Sequence, residues 1–313
     1  MVQVLVVPPL QFQRAGKLPT WRLNFCRSCS FPVRGQGGQF PNKKLEGILK
    51  AKQRALEAEL SQSTPAQLEA RLTSVKPKSN PFLLLDQVVA QRLKGFTAII
   101  VEVARSIPSE APASLAERCR DYATWGADAI AVRTDEEVTA NGILDLSEVS
   151  AAVTVPVMRS DWIIHPIQIA QTSESGASAV RLVNSVLKKG TPAILRYTQA
   201  LGLDAIVEVV NLKELEEVAT LGISAYGINL SVGLSLPIPG FRQDIAKSLV
   251  GNLPFGSYSI VQGVSSQEEA IEMRLAGADA VYISQDVLER YEASGNSQEQ
   301  FLQGLRDSLT GDD

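Results

Sequence analysis

Glu102 and Glu208 stand at the ends of two short apolar runs, Thr97–Val103 and Ala205–Val209. A carboxylate so placed either works as an acid or base in a polar pocket or is neutralised by a cation. No lysine adjoins either residue, so both are expected to pair with an arginine, namely Arg133, Arg159 or Arg181. Arg159 and Asp161, two residues apart, are read as a salt bridge of structural character. The one histidine, His165, precedes Pro166. Proline favours the first position of a helix, which makes His165 a helix cap rather than a general base. Cys26 and Cys29 are spaced as CxxC, but a structural zinc site takes four ligands. The only other candidates are Cys119, expected to be packed on a helix, and His165 itself. No metal and no cofactor is expected.

The elements that must position these groups follow from periodicity. Asn42 is a candidate cap for a helix with Leu45, Ile48, Leu49, Leu56 and Leu60 at mostly helical spacing. Thr64-Pro65-Ala66-Gln67 reads as a capping box with proline at the first helical position. Asn80-Pro81 is expected to open a third helix through Phe82–Leu93. Eight short apolar runs come next: Thr97–Val103, Ala129–Arg133, Val155–Arg159, Ala179–Val183, Ala205–Val209, Ala225–Leu230, Ser257–Val261 and Ala280–Ser284. Successive apolar positions suit parallel strands covered on both faces. Helical segments separate them: Ser114–Trp125, Ser147–Val153, Pro166–Ser175, Pro192–Leu201, Leu212–Leu221, Arg242–Val250 and Gln267–Ala276. A closing helix is expected in Asp286–Tyr291 or in Gln298–Leu309.

A repeated cue favours closure of the sheet. Gly126-Ala-Asp-Ala, Gly176-Ala-Ser-Ala, Gly222-Ile-Ser-Ala and Gly277-Ala-Asp-Ala precede the second, fourth, sixth and eighth runs. Recurrence every two β/α units is what an eight-unit barrel would show. Each glycine also suits a helix C-terminus, where φ is positive. The fold class is therefore α/β: a parallel (β/α)8 TIM barrel with an N-terminal helical extension. An open doubly wound sheet would more usually carry a glycine-rich phosphate turn after its first strand, and none follows Val103.

Charge divides the chain further. The 313 residues carry a formal net charge of -4, but residues 1–41 hold Arg14, Lys17, Arg22, Arg27 and Arg34 and no carboxylate, which leaves -9 for the remainder. A basic, acid-free leader with scattered Ser, Gly and Pro suits an organelle transit peptide. Residues 1–40 are read as that leader, 41–95 as the helical extension and 96–313 as the barrel. Pro8, Pro9 and Pro19 spoil an amphipathic helix, so the chloroplast stroma is expected and a mitochondrion is the alternative. An acidic balance argues against nucleic acid as a partner. No apolar run approaches the ~20 residues that span a bilayer.

The order of blocks resembles the indole-3-glycerol phosphate synthase family of tryptophan biosynthesis. Ile99-Ile100-Val101-Glu102-Val103-Ala104-Arg105-Ser106-Ile107-Pro108-Ser109 resembles its first-strand IAEIKxxSPS, and Gly126 to Glu137 its GAxAISVLTDExFF. Pro156-Val157-Met158-Arg159-Ser160-Asp161-Trp162-Ile163-Ile164-His165-Pro166-Ile167-Gln168-Ile169 resembles PVLRKDFIIDPYQI, the most specific of the matches. Leu201 to Val210 resembles LGLxxLVEVH, and Gly227 to Gly233 resembles GINNRDL. The likeness runs from about 45 to 290.

This resemblance implies a decarboxylating ring closure on an anilino-deoxyribulose phosphate, with catalytic groups at the C-terminal ends of the strands. Glu102 and Asn229 stand where the family keeps catalytic residues. The first-strand lysine is replaced by Ala104 and the general-acid lysine by Ser160. The base glutamate falls near Lys188, the sixth-strand arginine at Ser231, and the glutamate of ESGI at Val261. Gly263 and Ser284 occupy residual phosphate-site positions, beside an added Asp286. Trp162, in place of a phenylalanine, is read as core. Arg105 is expected to face away from the site. The leading expectation is a barrel with a degenerate active site, a non-catalytic binding, scaffold or regulatory protein. The alternative is an active synthase, in which Lys188 or Lys189 would be buried in the pocket. A small phosphorylated ligand or a plastid protein is the expected partner.

Overall fold

A computed structural model describes residues 43–135, 139, 141–231 and 241–310. The segment expected to be a leader, with Cys26 and Cys29, the candidate cap Asn42, and Glu136, Glu137 and Gly233 of the matched blocks lie outside the described residues.

Three helices come first: α1 (Lys43–Leu60), α2 (Pro65–Ser74) and α3 (Leu83–Leu93). α2 begins with the expected capping box, Thr64 Oγ1 accepting from Gln67 N while the Gln67 side chain returns to Thr64 N. α3 differs from expectation. It starts at Leu83, and Phe82 before it is left-handed with no side-chain cap. Its first N–H groups are satisfied from far along the chain, where Asp204 Oδ2 accepts from Leu84 N at 2.9 Å and Leu85 N at 3.0 Å.

Eight parallel strands follow: β1 (Ala98–Val103), β2 (Ala129–Arg133), β3 (Val157–Ser160), β4 (Ala179–Val183), β5 (Asp204–Val209), β6 (Ala225–Asn229), β7 (Tyr258–Val264) and β8 (Ala280–Ile283). They close in sequence order, β8 pairing back onto β1. The fold is a TIM barrel, as the pattern of runs implied. Its outer helices are α4 (Pro112–Thr124), α5 (Gly142–Ala152), α6 (Pro166–Glu174), α7 (Asn184–Leu187), α8 (Thr191–Ala200), α9 (Leu212–Val218), α10 (Phe241–Gly251), α11 (Gln267–Leu275), α12 (Gln285–Ala293) and α13 (Gln298–Ser308). Both candidates for the closing helix are helical. α5 begins five residues earlier than expected because Gly142, which reads as a loop residue, sits against Thr134; an added Cβ would lie 2.5 Å from Thr134 Cα. The four repeated glycines all have positive φ, from 70° at Gly222 to 113° at Gly126.

Alternation along each strand divides the core in two. Ile99, Val101 and Val103 face the helices in the larger outer layer. Ala98, Ile100, Ala129, Ala131, Met158, Ala179, Ile206, Ala225, Ile260 and Ala280 fill the barrel interior, where small alanines make room for the larger residues. Leu84 and Val88 of α3 close the bottom of that interior, and full burial of each is worth roughly 1.5–3 kcal/mol.

The acidic residue two places after a helix-ending glycine explains how α3 is held. Asp128 accepts from Gln87, Gln91 and Arg306, Asp279 pairs with Arg92, and Asp204 caps the N-terminus of α3. Three carboxylates at the N-terminal ends of three strands thus clamp the helical extension under the barrel.

Candidate functional site

The same alternation fixes what lines the upper, C-terminal end of the barrel. Side chains two residues beyond the apolar interior point the same way. At that level stand Glu102, Arg133, Ser160, Arg181, Glu208, Asn229 and Gln262, with Tyr282 closing the ring. Each strand therefore contributes a polar residue, and the layer holds two carboxylates and two guanidiniums.

Two hydrogen-bonded groups make up most of this layer. In the first, Glu102 Oε1 accepts from Tyr282 Oη at 2.7 Å and from Ser160 Oγ at 3.1 Å. Burial, reinforced by the Glu102 charge, pushes the Tyr282 hydroxyl well above its ordinary pKa. In the second, Arg181 Nη1 pairs with Glu208 Oε2 at 3.2 Å, while Asn229 Nδ2 donates to Glu208 Oε1 at 3.2 Å. Burial works against the Arg181 charge, but Glu208 and, more weakly, Tyr282 and Glu102 outweigh it and hold its pKa above the usual value. The guanidinium lies 5.2 Å from the centre of the Trp162 ring.

The expected arginine pairing thus holds for Glu208 and fails for Glu102. Arg181 is taken by Glu208, Arg133 faces Asp135 at 3.4 Å, and Arg159 points outward, so Glu102 is left to two hydroxyls. Trp162 also departs from expectation. It is half-buried at the rim, as a platform for Arg181, instead of being part of the core.

The remaining positions of interest are spread over several places. Ala104 is buried just above β1, its N–H donating to Gln285 Oε1 at 2.6 Å and its carbonyl accepting from Arg118. Ser160 is buried with its hydroxyl spent on Glu102. Asn229 closes a turn by accepting from Ser231 N at 2.8 Å, and Ser231 is exposed. Gly263 sits at an irregularity in β7 with φ 78°, and an added Cβ would lie 2.6 Å from Ser231 Oγ. Ser284 is the half-buried N-cap of α12, and Asp286 behind it is exposed. Val261 does not face the mouth: it packs in the outer layer, and Gln262 is the inward residue of that block. Lys188 and Lys189 are exposed on a turn after α7 instead of being buried in the pocket. Arg105 faces away, holding Asp145 through Nε at 2.9 Å and Nη2 at 2.7 Å.

Outside the mouth, the block from Arg159 to His165 builds a second polar centre. Asp161 accepts from Arg159 Nη2 at 2.7 Å, from Thr134 Oγ1 at 2.9 Å and from Lys52 Nζ of α1, 2.8 Å from its other oxygen. Burial would raise the Asp161 pKa, but Arg159 and Lys52 outweigh it and keep it below the ordinary value. The lysine could have been noticed in the sequence, because position 52 lies on the apolar stripe of α1, between Leu49 and Leu56. His165 caps α6 through Nδ1, which accepts from Ile167 N at 3.1 Å, and burial lowers its pKa to about 4. Cys119 is packed, its thiol pushed up to about 12 by burial. Sequence reasoning gave no role to Tyr282, Gln262 or Lys52, and treated Arg181 only as a partner for a carboxylate.

Comparison with known proteins fits this architecture. The family model described as indole-3-glycerol phosphate synthase matches residues 45–298. The chain is 30% identical over 261 residues to an indole-3-glycerol phosphate synthase of Opitutus terrae, covering 79% of this chain and 94% of the relative. It is 32% identical over 210 residues to that of Mycolicibacterium vanbaalenii, covering 65% and 76%. Among solved structures, tryptophan synthase from Mycobacterium tuberculosis aligns with TM-score 0.57 at 15% identity, over 72% of this chain and 97% of the other. The N-acetylmannosamine-6-phosphate 2-epimerase of Clostridium perfringens aligns with TM-score 0.51 at 14% identity, over 67% and 96%. These two likenesses concern the fold alone.

Proposed function

Because the chain belongs to the indole-3-glycerol phosphate synthase family, we propose that it keeps the family's barrel without the family's reaction and serves as a non-catalytic binding, scaffold or regulatory protein. The observation that carries this reading is the composition of the inward-facing layer. The positions assigned to two lysines by resemblance hold Ala104 and Ser160, and the cations of that layer among the described residues, Arg133 and Arg181, are both guanidiniums. Ring closure needs a proton delivered to a ketone and a hydroxyl assisted in leaving. Guanidinium stays protonated at every physiological pH, so it binds and orients but does not act as an acid. Among the described residues, Lys188 and Lys189 are exposed, and Lys52 is bound to Asp161 beside the outward-facing Arg159. Losing one general acid or base typically costs about 10²–10⁴ in rate, and several such groups are absent together.

The names of the relatives favour the other reading, an active synthase. The two are separated by expressing residues 41–313 in a bacterium lacking its own synthase. Continued tryptophan auxotrophy is expected, and restored growth on minimal medium overturns the proposal. A plastid location and a plastid protein partner belong to the same proposal and rest on the basic leader. Import of a leader–reporter fusion into isolated chloroplasts is expected, and its exclusion removes that part.

A further inference from the structure

We propose that the barrel mouth is a binding site for a small α-amino acid, its carboxylate held by the unpaired edge of Arg181 and by Gln262, and its ammonium by Glu102. The inference rests on the reading above only in that the bound molecule is held and not converted.

The guanidinium has one edge in use and one without a hydrogen-bond partner among the described residues. Nη1 is committed to Glu208. Among the described residues Nε is buried with no hydrogen-bond partner, and Nη2 makes no hydrogen bond either. Nε and Nη2 form the side-on fork of an arginine, whose two parallel N–H groups match the two oxygens of a carboxylate. The same edge is used elsewhere in this molecule, where Arg105 grips Asp145 at 2.9 and 2.7 Å. Stacking on Trp162 and the ion pair to Glu208 fix the plane of Arg181, so the fork is held in place before any ligand arrives.

Two further groups complete the pattern. Gln262 is 3% exposed, and its Nε2 donor is buried without a partner, lying over Gly227 where a Cβ would come within 2.8 Å. A buried donor without a partner is unfavourable, so a group from outside the chain, water or a ligand, is favoured beside it. Glu102 takes both of its hydrogen bonds on Oε1, and Oε2 makes none among the described residues. The mouth thus holds unpaired donors on one side and an unpaired carboxylate oxygen on the other. The two glutamates and two arginines of the layer balance. A zwitterion leaves that balance intact, whereas a dianionic phosphate adds charge that no surplus cation in the layer answers.

The test is calorimetric titration of the full chain with the L-amino acids, using acetate and inorganic phosphate as comparison probes. Saturable binding of at least one amino acid is expected, tighter than acetate, which has no donor for Glu102. Arg181→Lys keeps a cation opposite Glu208 and loses the planar fork, and should weaken binding about tenfold or more. Gln262→Leu removes only an unpartnered amide and should weaken binding while leaving the fold intact. Absence of saturable binding by every amino acid overturns the proposal. So does binding unchanged in both variants, or a preference for phosphate over all amino acids. Turnover of the family substrate is measured on the same preparation: turnover sinks the non-catalytic reading, whereas no turnover with no binding sinks only the present inference.

Discussion

Replacing Asp161 with alanine is expected to cost more stability than any change at the mouth. Its carboxylate is fully buried and accepts from Lys52 at 3.0 Å, Arg159 at 2.7 Å, Thr134 at 2.9 Å and its neighbour's N–H, Trp162, at 2.7 Å, with Lys52 Nζ also 2.8 Å from the other oxygen. Arg159 and Lys52 are 3% and 6% exposed. Removing the anion leaves two buried cations facing each other without it, and breaking a buried pair in this way costs about 3–5 kcal/mol. In a domain of this size each kcal/mol lowers Tm by about 2–4 °C, so a fall of roughly 6–20 °C follows. Urea unfolding followed by tryptophan fluorescence reads the free energy, and Trp162 beside the substitution makes it sensitive. A loss under about 1 kcal/mol would refute the idea that the Arg159–Asp161 pair is retained to anchor α1.

Other consequences are open to simple measurement. His165 has a folded-state pKa of about 4, below its ordinary 6.5, so the unfolded chain takes up a proton first as pH falls. Its stabilising contribution is therefore present above pH 6.5 and lost on descent toward 4; His165→Asn should flatten that part of the stability profile, and an unchanged slope would count against it. Asp204 has the opposite sign. Burial raises its pKa to about 7 despite the N–H groups of Leu85 and Leu84, so the native state holds its proton longer and stability falls as pH rises from about 4 to 7. Asp204→Asn keeps an acceptor for α3 and should gain on the parent protein over that interval. Gly142→Ala places a Cβ 2.5 Å from Thr134 Cα, backbone that cannot step aside; a loss of at least about 1–3 kcal/mol is expected in thermal unfolding. Ser160→Lys puts an ammonium beside Glu102 but restores neither a base at Lys188 nor the arginine at Ser231, so no indole product is expected; its appearance would show the mouth to be otherwise competent.

The barrel was legible in the sequence because its strands are short, apolar on both faces and regularly spaced, and because glycine must end the helices that precede them. Boundaries slipped where a tertiary contact decides. α3 takes its cap from Asp204, far along the chain, so Asn80-Pro81 misplaces its start, and Gly142 reads as loop although its role is close packing on Thr134. In the site, losses were easier to read than gains. Ala104 and Ser160 are visible as absences against a family pattern. The roles of Tyr282 and Gln262 come only from closure of the barrel, which brings β8 back to β1 and sets β7 beside them. Arg181 shows the limit most clearly: its charge and strand position were visible, but which edge of it is left open depends on Glu208 and Trp162, each from a different strand or loop.

The central claim, that this barrel no longer closes an indole ring, is tested most directly by single-turnover fluorescence. The purified chain is mixed in excess over the anilino-deoxyribulose phosphate substrate, with an active relative as positive control. No indole emission above the uncatalysed background is the predicted result. Emission that rises with protein concentration and disappears in Glu102→Gln would contradict it.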